Sequence, residues 1–157
     1  ETVVIRKRVF DDLSQIFDNR FELIEELDLI LRISYYHKIE YVDLVLAKWR
    51  IHQDSSTWKN FGLFFYEKKI FLKKLFSIIP NFSNLFQNEI YCFRRSYTFE
   101  ESLYLLLKNK NREARNKIKP YKNDGIKWYL YYLCCYLNKN IFIKIQKIRG
   151  KPIIDKV

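Results

Sequence analysis

Apolar positions fall at helical spacing through most of this chain and at strand-like spacing in a few short runs near its start. Residues 2–7 open on Thr2-Val3-Val4-Ile5, a β-branched run that predicts a short strand. Residues 9–16 follow as a short helix or turn, with Asp11, Asp12 and Ser14 as candidate caps. From about Ile24 the spacing turns helical. Ile24, Leu27, Leu31 and Ser34 share one face, with Ile30 and Ile33 beside it. Asp28 and Arg32 form a favourable i, i+4 pair, whereas Glu22 and Glu26 would repel at that spacing, which puts the helix start near Glu25. Residues 40–42 and 45–51 predict two further short strands, and residues 52–58 a polar loop.

Beyond Asn60 the pattern is helical almost throughout. Phe61, Phe64, Phe65, Leu72, Leu75, Phe76 and Ile79 form a stripe, with Lys69, Lys73 and Lys74 off it. Pro80 ends that helix, and Ser83 caps a second over residues 84–95. Thr98-Phe99-Glu100-Glu101 has the form of a capping box opening a third helix through Leu107. Residues 111–119 predict a fourth, stopped by Pro120, and Asn123-Asp124-Gly125 a turn. Residues 126–148 predict a long aromatic and basic helix with a break at residues 138–140.

Composition narrows the functions available. The 157 residues suffice for one domain with a core. The chain begins at Glu1 and contains no Met, so it is expected to belong to a longer protein. Three glycines are too few for a Gly-rich phosphate loop. Cys92, Cys134 and Cys135 are odd in number and include a vicinal pair, which suits a reducing compartment better than a disulfide framework. Two histidines, His37 and His52, lie far from the cysteines and do not suggest a zinc site. No apolar run reaches the roughly 20 residues that span a bilayer.

Charge brings one segment forward. The chain has 29 Lys and Arg against 18 Asp and Glu, a net of +11. Residues 1–32 run the other way, with five basic and eight acidic residues, a net of −3. Glu22, Glu25, Glu26 and Asp28 lie within seven residues of one another. Such a cluster is either a helix start complementing the dipole or a working site with a general base or metal ligand.

The ordered elements Ile5-Arg6, Phe17-Asp18, Glu25-Glu26, Asp28-Leu29, Leu31-Arg32, Tyr41-Val42 and Arg50-Ile51-His52 resemble the second half of the catalytic domain of glycosyltransferase family 2. The likeness covers the first third to two-fifths of the chain. It implies an α+β, predominantly helical fold: the C-terminal portion of a GT-A (Rossmann-like α/β) domain over residues 1–58, with two or three short strands, then a helical region over residues 59–157. It implies inverting transfer from a nucleotide-sugar to a saccharide or lipid-linked acceptor, in surface polysaccharide or glycolipid synthesis at the cytoplasmic face of a bacterial membrane. Glu26 occupies the general-base position, where aspartate is usual, with Glu25 and Asp28 in support. Arg50 and Lys48 would face the donor diphosphate, and His52 its divalent metal, Mg or Mn. The family's Asp-x-Asp motif occurs nowhere in this chain, so the chain alone is not expected to bind a nucleotide-sugar well.

Outside that likeness, His37 reads as structural, and residues 60–120 as helices packed on one another. Trp128, Tyr129, Tyr132, Leu133, Tyr136 and Leu137, followed by Lys139, Lys144, Lys147, Arg149 and Lys151, suit an anionic membrane surface. A nucleic-acid partner ranks lower, for want of a recognised module. The rival to an enzyme is a non-catalytic basic helical module that docks to membrane or protein.

Overall fold

The computed structural model describes residues 3–48, 60–137, 139, 140 and 143; among them seven α-helices have defined bounds, and residues 139, 140 and 143 are helical as well. The seven are α1 (Arg8–Asp11), α2 (Glu25–Tyr36), α3 (Phe61–Ile78), α4 (Phe82–Leu85), α5 (Gln87–Leu107), α6 (Asn111–Ile118) and α7 (Ile126–Cys134). A single 3-10 turn, Lys119–Tyr121, carries Pro120 between α6 and α7.

Among the described residues there is no strand, and the fold is all-α. The expected α+β class, with strands at residues 2–7, 40–42 and 45–51 as part of a GT-A domain, is overturned. Residues 3–6 and 45–48 carry no regular structure, and residues 38–43 run without a ladder. A β-prone run of four to seven residues is stable only against a second strand, and the helices here offer no edge to pair with. Val4, Tyr41 and Val45 are consequently left facing water.

Two apolar clusters hold the helices together, and a smaller one sits at the start. Phe21 and Ile24, at the entry to α2, pack with Phe71, Leu72 and Leu75 of α3 and with Ile79, Phe82 and Ile90 beyond it. Residues from both sides of position 58 therefore share one core. The second cluster joins Leu106 of α5, Ala114 and Ile118 of α6, Tyr131 of α7 and Cys135. Within it the Ser102 hydroxyl donates to the Ala114 carbonyl at 2.8 Å, so the helices are tied by a satisfied buried hydroxyl as well as by apolar area. The third packs Val9 of α1 on Leu29 and Ile33 of α2.

Ends and junctions follow local chemistry. Asn109 adopts a left-handed φ of 62° just after α5. Its N–H reaches the Leu106 carbonyl at 3.1 Å, and the Lys110 N–H reaches the Leu105 carbonyl at 2.9 Å. This is the Schellman arrangement, which satisfies carbonyls the helix would otherwise leave open. Gly125, at φ 134°, opens α7 in a conformation that side-chain-bearing residues rarely adopt.

Several sequence-level boundaries shift. Thr98 opens no new helix, because α5 runs through it unbroken from Gln87 to Leu107. Glu100 and Glu101 serve other partners, pairing with Lys68 at 2.6 Å and Lys69 at 2.8 Å on α3. Cross-helix ion pairs have taken the residues that a capping box would use. On α2 the buried positions are Asp28, Leu29 and Ile33, while Leu27 and Ser34 are exposed. The predicted long helix from residue 126 breaks after Cys134, ahead of the expected break at 138–140; residues 139, 140 and 143 are helical again, and the rest of 138–148 lie outside the described residues. No helix among the described residues is long and apolar enough to cross a membrane.

Candidate functional site

The acidic turn begins with a cap that comes from another helix. Glu67 of α3 is buried, and its carboxylate accepts the backbone N–H groups of Glu22 at 2.8 Å, Leu23 at 3.0 Å and Ile24 at 3.2 Å. These donors lie just ahead of α2, where the chain has no side-chain cap of its own. A carboxylate at that place also complements the positive end of the helix dipole.

One turn further, Asp28 is fully buried and saturated. Its Oδ1 accepts from Lys74 Nζ at 2.6 Å and its Oδ2 from Arg32 Nε at 2.9 Å. Lys74 also donates to Asp18 Oδ2 at 2.8 Å, and Arg20 grips Asp18 through Nε at 3.0 Å and Nη2 at 2.7 Å. Arg32 finishes the network by donating to the carbonyls of Gln15 and Ile16, each at 2.7 Å. Two carboxylates, one lysine and two arginines thus pin the 15–20 loop onto α2 and α3. Charges so far out of water are tolerated because each oxygen of the two carboxylates has a cationic partner.

This pairing sets a pH dependence. The Arg20 guanidinium, with Lys74 behind it, holds the Asp18 carboxyl well below the usual carboxylate range against the opposing effect of burial. Asp18 therefore contributes its full stabilisation above the ordinary aspartate value of about 4 and loses it as pH falls toward the folded value. Asp124 has the same sign, lowered by the Tyr91 hydroxyl and Arg95. Glu100 has the opposite sign, since burial pushes it up despite the hydrogen bond from Lys68. Glu101, held down by Lys69 and Lys117 against burial, has the sign of Asp18 too, so with three carboxyls against one the urea midpoint is expected to fall between about pH 5 and pH 3. A midpoint constant over that window would show that Asp18 is unpaired in solution.

The expected site residues separate on this scaffold. Glu25, Glu26 and Asp28 share the first turn of α2, but only Glu26 is exposed. It makes no hydrogen bond or ion pair among the described residues. Glu25 is half-buried and holds one oxygen, Oε2, away from water without a hydrogen-bond partner among the described residues. Lys48 is exposed at the end of the irregular segment after α2. Arg50 and His52 lie outside the described residues. His37 sits 3.5 Å from Asp12, an ion-pair position that closes the end of α2 onto α1 and suits its structural reading.

His52, the expected ligand of a divalent metal, lies outside the described residues. They contain no grouping of three or more His, Cys, Asp or Glu side chains that could hold one, and Asp18 and Asp28 are taken up by cations. The cleft lined by Leu31, Arg32, Tyr35, Leu75 and Ile78 encloses about 20 Å³, room for a single water. Ligand pockets are commonly about 300–1,000 Å³. Cys92 is exposed, while burial pushes the Cys135 thiol up to about 11, where it stays protonated at neutral pH.

Glu67 and Lys74, the residues that organise the turn, were not singled out by the sequence pattern. A signal for both exists. Phe64, Glu67, Phe71 and Lys74 follow one another at spacings of three, four and three, along one face of α3. Lys74 therefore lies on the buried seam rather than off it, and a lone acid and a lone base among phenylalanines mark a place where partners must arrive from elsewhere. No protein-family model, no curated protein and no solved structure matches the chain.

Proposed function

We propose that this chain supplies the acceptor-side carboxylate of an inverting glycosyltransferase, with Glu26 as general base. The observation that carries the reading is the division of labour in the acidic turn. Asp28 is spent on Lys74 and Arg32, and Glu25 is partly shut from water, while Glu26 stands exposed on the same turn with no side-chain partner among the described residues. The network beneath it fixes α2 rigidly, which is what a positioned base needs. The order of Phe17-Asp18, Glu25-Glu26, Leu31-Arg32 and Arg50-Ile51-His52, similar to glycosyltransferase family 2, supports the same role.

In this role Glu26 takes the proton of an acceptor hydroxyl as that oxygen attacks the anomeric carbon. The bond from that carbon to the nucleoside diphosphate breaks, and the configuration inverts. The acceptor is a saccharide or a lipid-linked sugar. The donor is held by residues beyond those described, since this chain has no Asp-x-Asp motif.

Glu26→Gln is expected to lower transfer by about a hundredfold or more when the chain works with its nucleotide-binding portion. Donor affinity measured by calorimetry should not change. Glu26→Asp should keep most of the activity, because it retains the carboxylate and shortens its reach by one methylene. Wild-type turnover in the glutamine variant would remove Glu26 from the role.

A further inference from the structure

A second surface lies far from the acidic turn in sequence and is built for a different partner. On α7, Ile126 is 73% exposed, Tyr129 45%, Leu130 53% and Leu133 42%, and Tyr136 just beyond the helix is 58% exposed. The four helical positions fall at i, i+3, i+4 and i+7, so they form one stripe about 10 Å long at 1.5 Å per residue. The opposite face of α7 is already used. Tyr131 is buried against Phe99 at 4.5 Å between ring centroids, and Trp128 meets Phe99 edge-on at 5.7 Å, with the Arg95 guanidinium 4.8 Å over its ring. Trp128 and Tyr132 thus belong to the core side, and the exposed stripe is made of other residues than the aromatic run alone suggests.

Charge identifies what this stripe fits. Residues 111–157 hold twelve Lys and Arg against three Asp and Glu, so +9 of the chain's +11 lies in its last 47 residues. Around α7, Lys127 is exposed, Lys122 lies 5.7 Å from the Tyr132 ring and Arg115 4.2 Å from the Tyr136 ring. The nearby acid Asp124 is neutralised by Arg95 at 2.9 Å. An apolar helical stripe with a tyrosine at its middle, ringed by cations, matches an anionic bilayer, whose headgroups take the charge while the acyl boundary takes the leucines. A polyanion such as RNA would take the charge but has no use for Leu130 and Leu133.

We infer that the α7 stripe, Ile126, Tyr129, Leu130 and Leu133, seats this protein on the surface of an anionic lipid membrane. Helix α7 lies in the plane of the interface and does not cross it. The inference does not depend on Glu26, so Glu26→Gln should leave membrane binding unchanged.

The test is co-sedimentation of the full chain with vesicles of phosphatidylcholine and phosphatidylserine, against phosphatidylcholine alone. The chain is expected to bind the mixed vesicles, and to lose binding as salt rises. Leu130→Glu with Leu133→Glu should reduce binding by about tenfold or more, since both side chains leave the acyl boundary. Lys122→Glu with Lys127→Glu should reduce it independently, which covers the case in which the leucine variant fails to fold. Leu85→Glu, an exposed leucine on α4, should change nothing. Equal binding by wild type and both double variants overturns the inference, as does equal binding to neutral vesicles. Binding to polyuridylate but not to vesicles assigns the surface to RNA. A dimer in sedimentation velocity that Leu130→Glu with Leu133→Glu dissociates, with no vesicle binding, assigns it to a second copy of the chain.

Discussion

Replacing Lys74 with methionine is expected to destabilise the fold by about 4 kcal/mol, the scale of stripping one partner from a buried ion pair. Lys74 is the only cation that touches both carboxylates among the described residues, at 2.8 Å from Asp18 and 2.6 Å from Asp28. Its own side chain is 12% exposed, and those of Asp18 and Asp28 are 8% and 0%. Methionine keeps most of the apolar stem and removes the charge, together with the ammonium 5.4 Å over the Phe21 ring. Asp28 then retains Arg32, and Asp18 retains an Arg20 that is largely in water. The measurement is a shift in urea midpoint at constant slope. Because the penalty belongs to ionised carboxylates, the gap between wild type and variant should narrow as pH falls below about 4. In a double-mutant cycle, Asp28→Asn should recover part of the loss, and simple additivity of the two changes would show that the pair is not coupled.

Glu67→Ala should cost a similar amount, about 3–5 kcal/mol, by a different route. The three N–H groups of Glu22, Leu23 and Ile24 lose their acceptor together, and the vacated volume lies beneath Phe21 and Ile24. A buried donor left without a partner costs more than a hydrogen bond is worth when made. Glu67→Gln should be milder, since the amide oxygen still accepts but brings no charge to the helix end. Hydrogen exchange gives the local readout: protection at residues 22–24 should fall in the alanine variant well before protection in α5. Unchanged protection there would mean that the cap does not hold in solution. Either substitution removes a large part of the 5–15 kcal/mol that stabilises a typical domain.

What could be read from the chain beforehand was local. The start of α2 at Glu25 followed from charge repulsion and apolar spacing, and the Asp28–Arg32 pair forms at 2.9 Å as its i, i+4 spacing predicts. The end of α3 before Pro80 and the end of α6 before Pro120 were equally legible, because proline acts within a turn of itself. The strands failed because strand formation is not a local property. Residues 2–7 and 40–51 have the composition, but pairing requires a partner that the described residues do not contain. The capping box at Thr98 failed for a related reason, since Glu100 and Glu101 gain more from Lys68 and Lys69 across the helix interface than from a helix start inside α5. For the candidate site, spacing located the acidic turn and resemblance gave Glu26 a role. The resemblance put Asp28 in support of Glu26, but neither showed that Asp28 is fully spent on ion pairs. That distinction rests on Lys74, 46 residues from Asp28, and such a contact leaves no trace in local pattern beyond a charged residue on an apolar face.

The cap from Glu67 also sets an order of events in time. Its acceptor oxygens belong to a residue 43 to 45 positions after the N–H groups they satisfy. On a ribosome adding about 5–20 residues each second, residues 22–24 are made some 2–9 s before the residue that caps them. Twelve residues without a cap are too few to hold a helix in water. The acidic turn therefore takes shape late, when α3 arrives and brings Glu67 and Lys74 together, and its cap and its ion pairs close in one step.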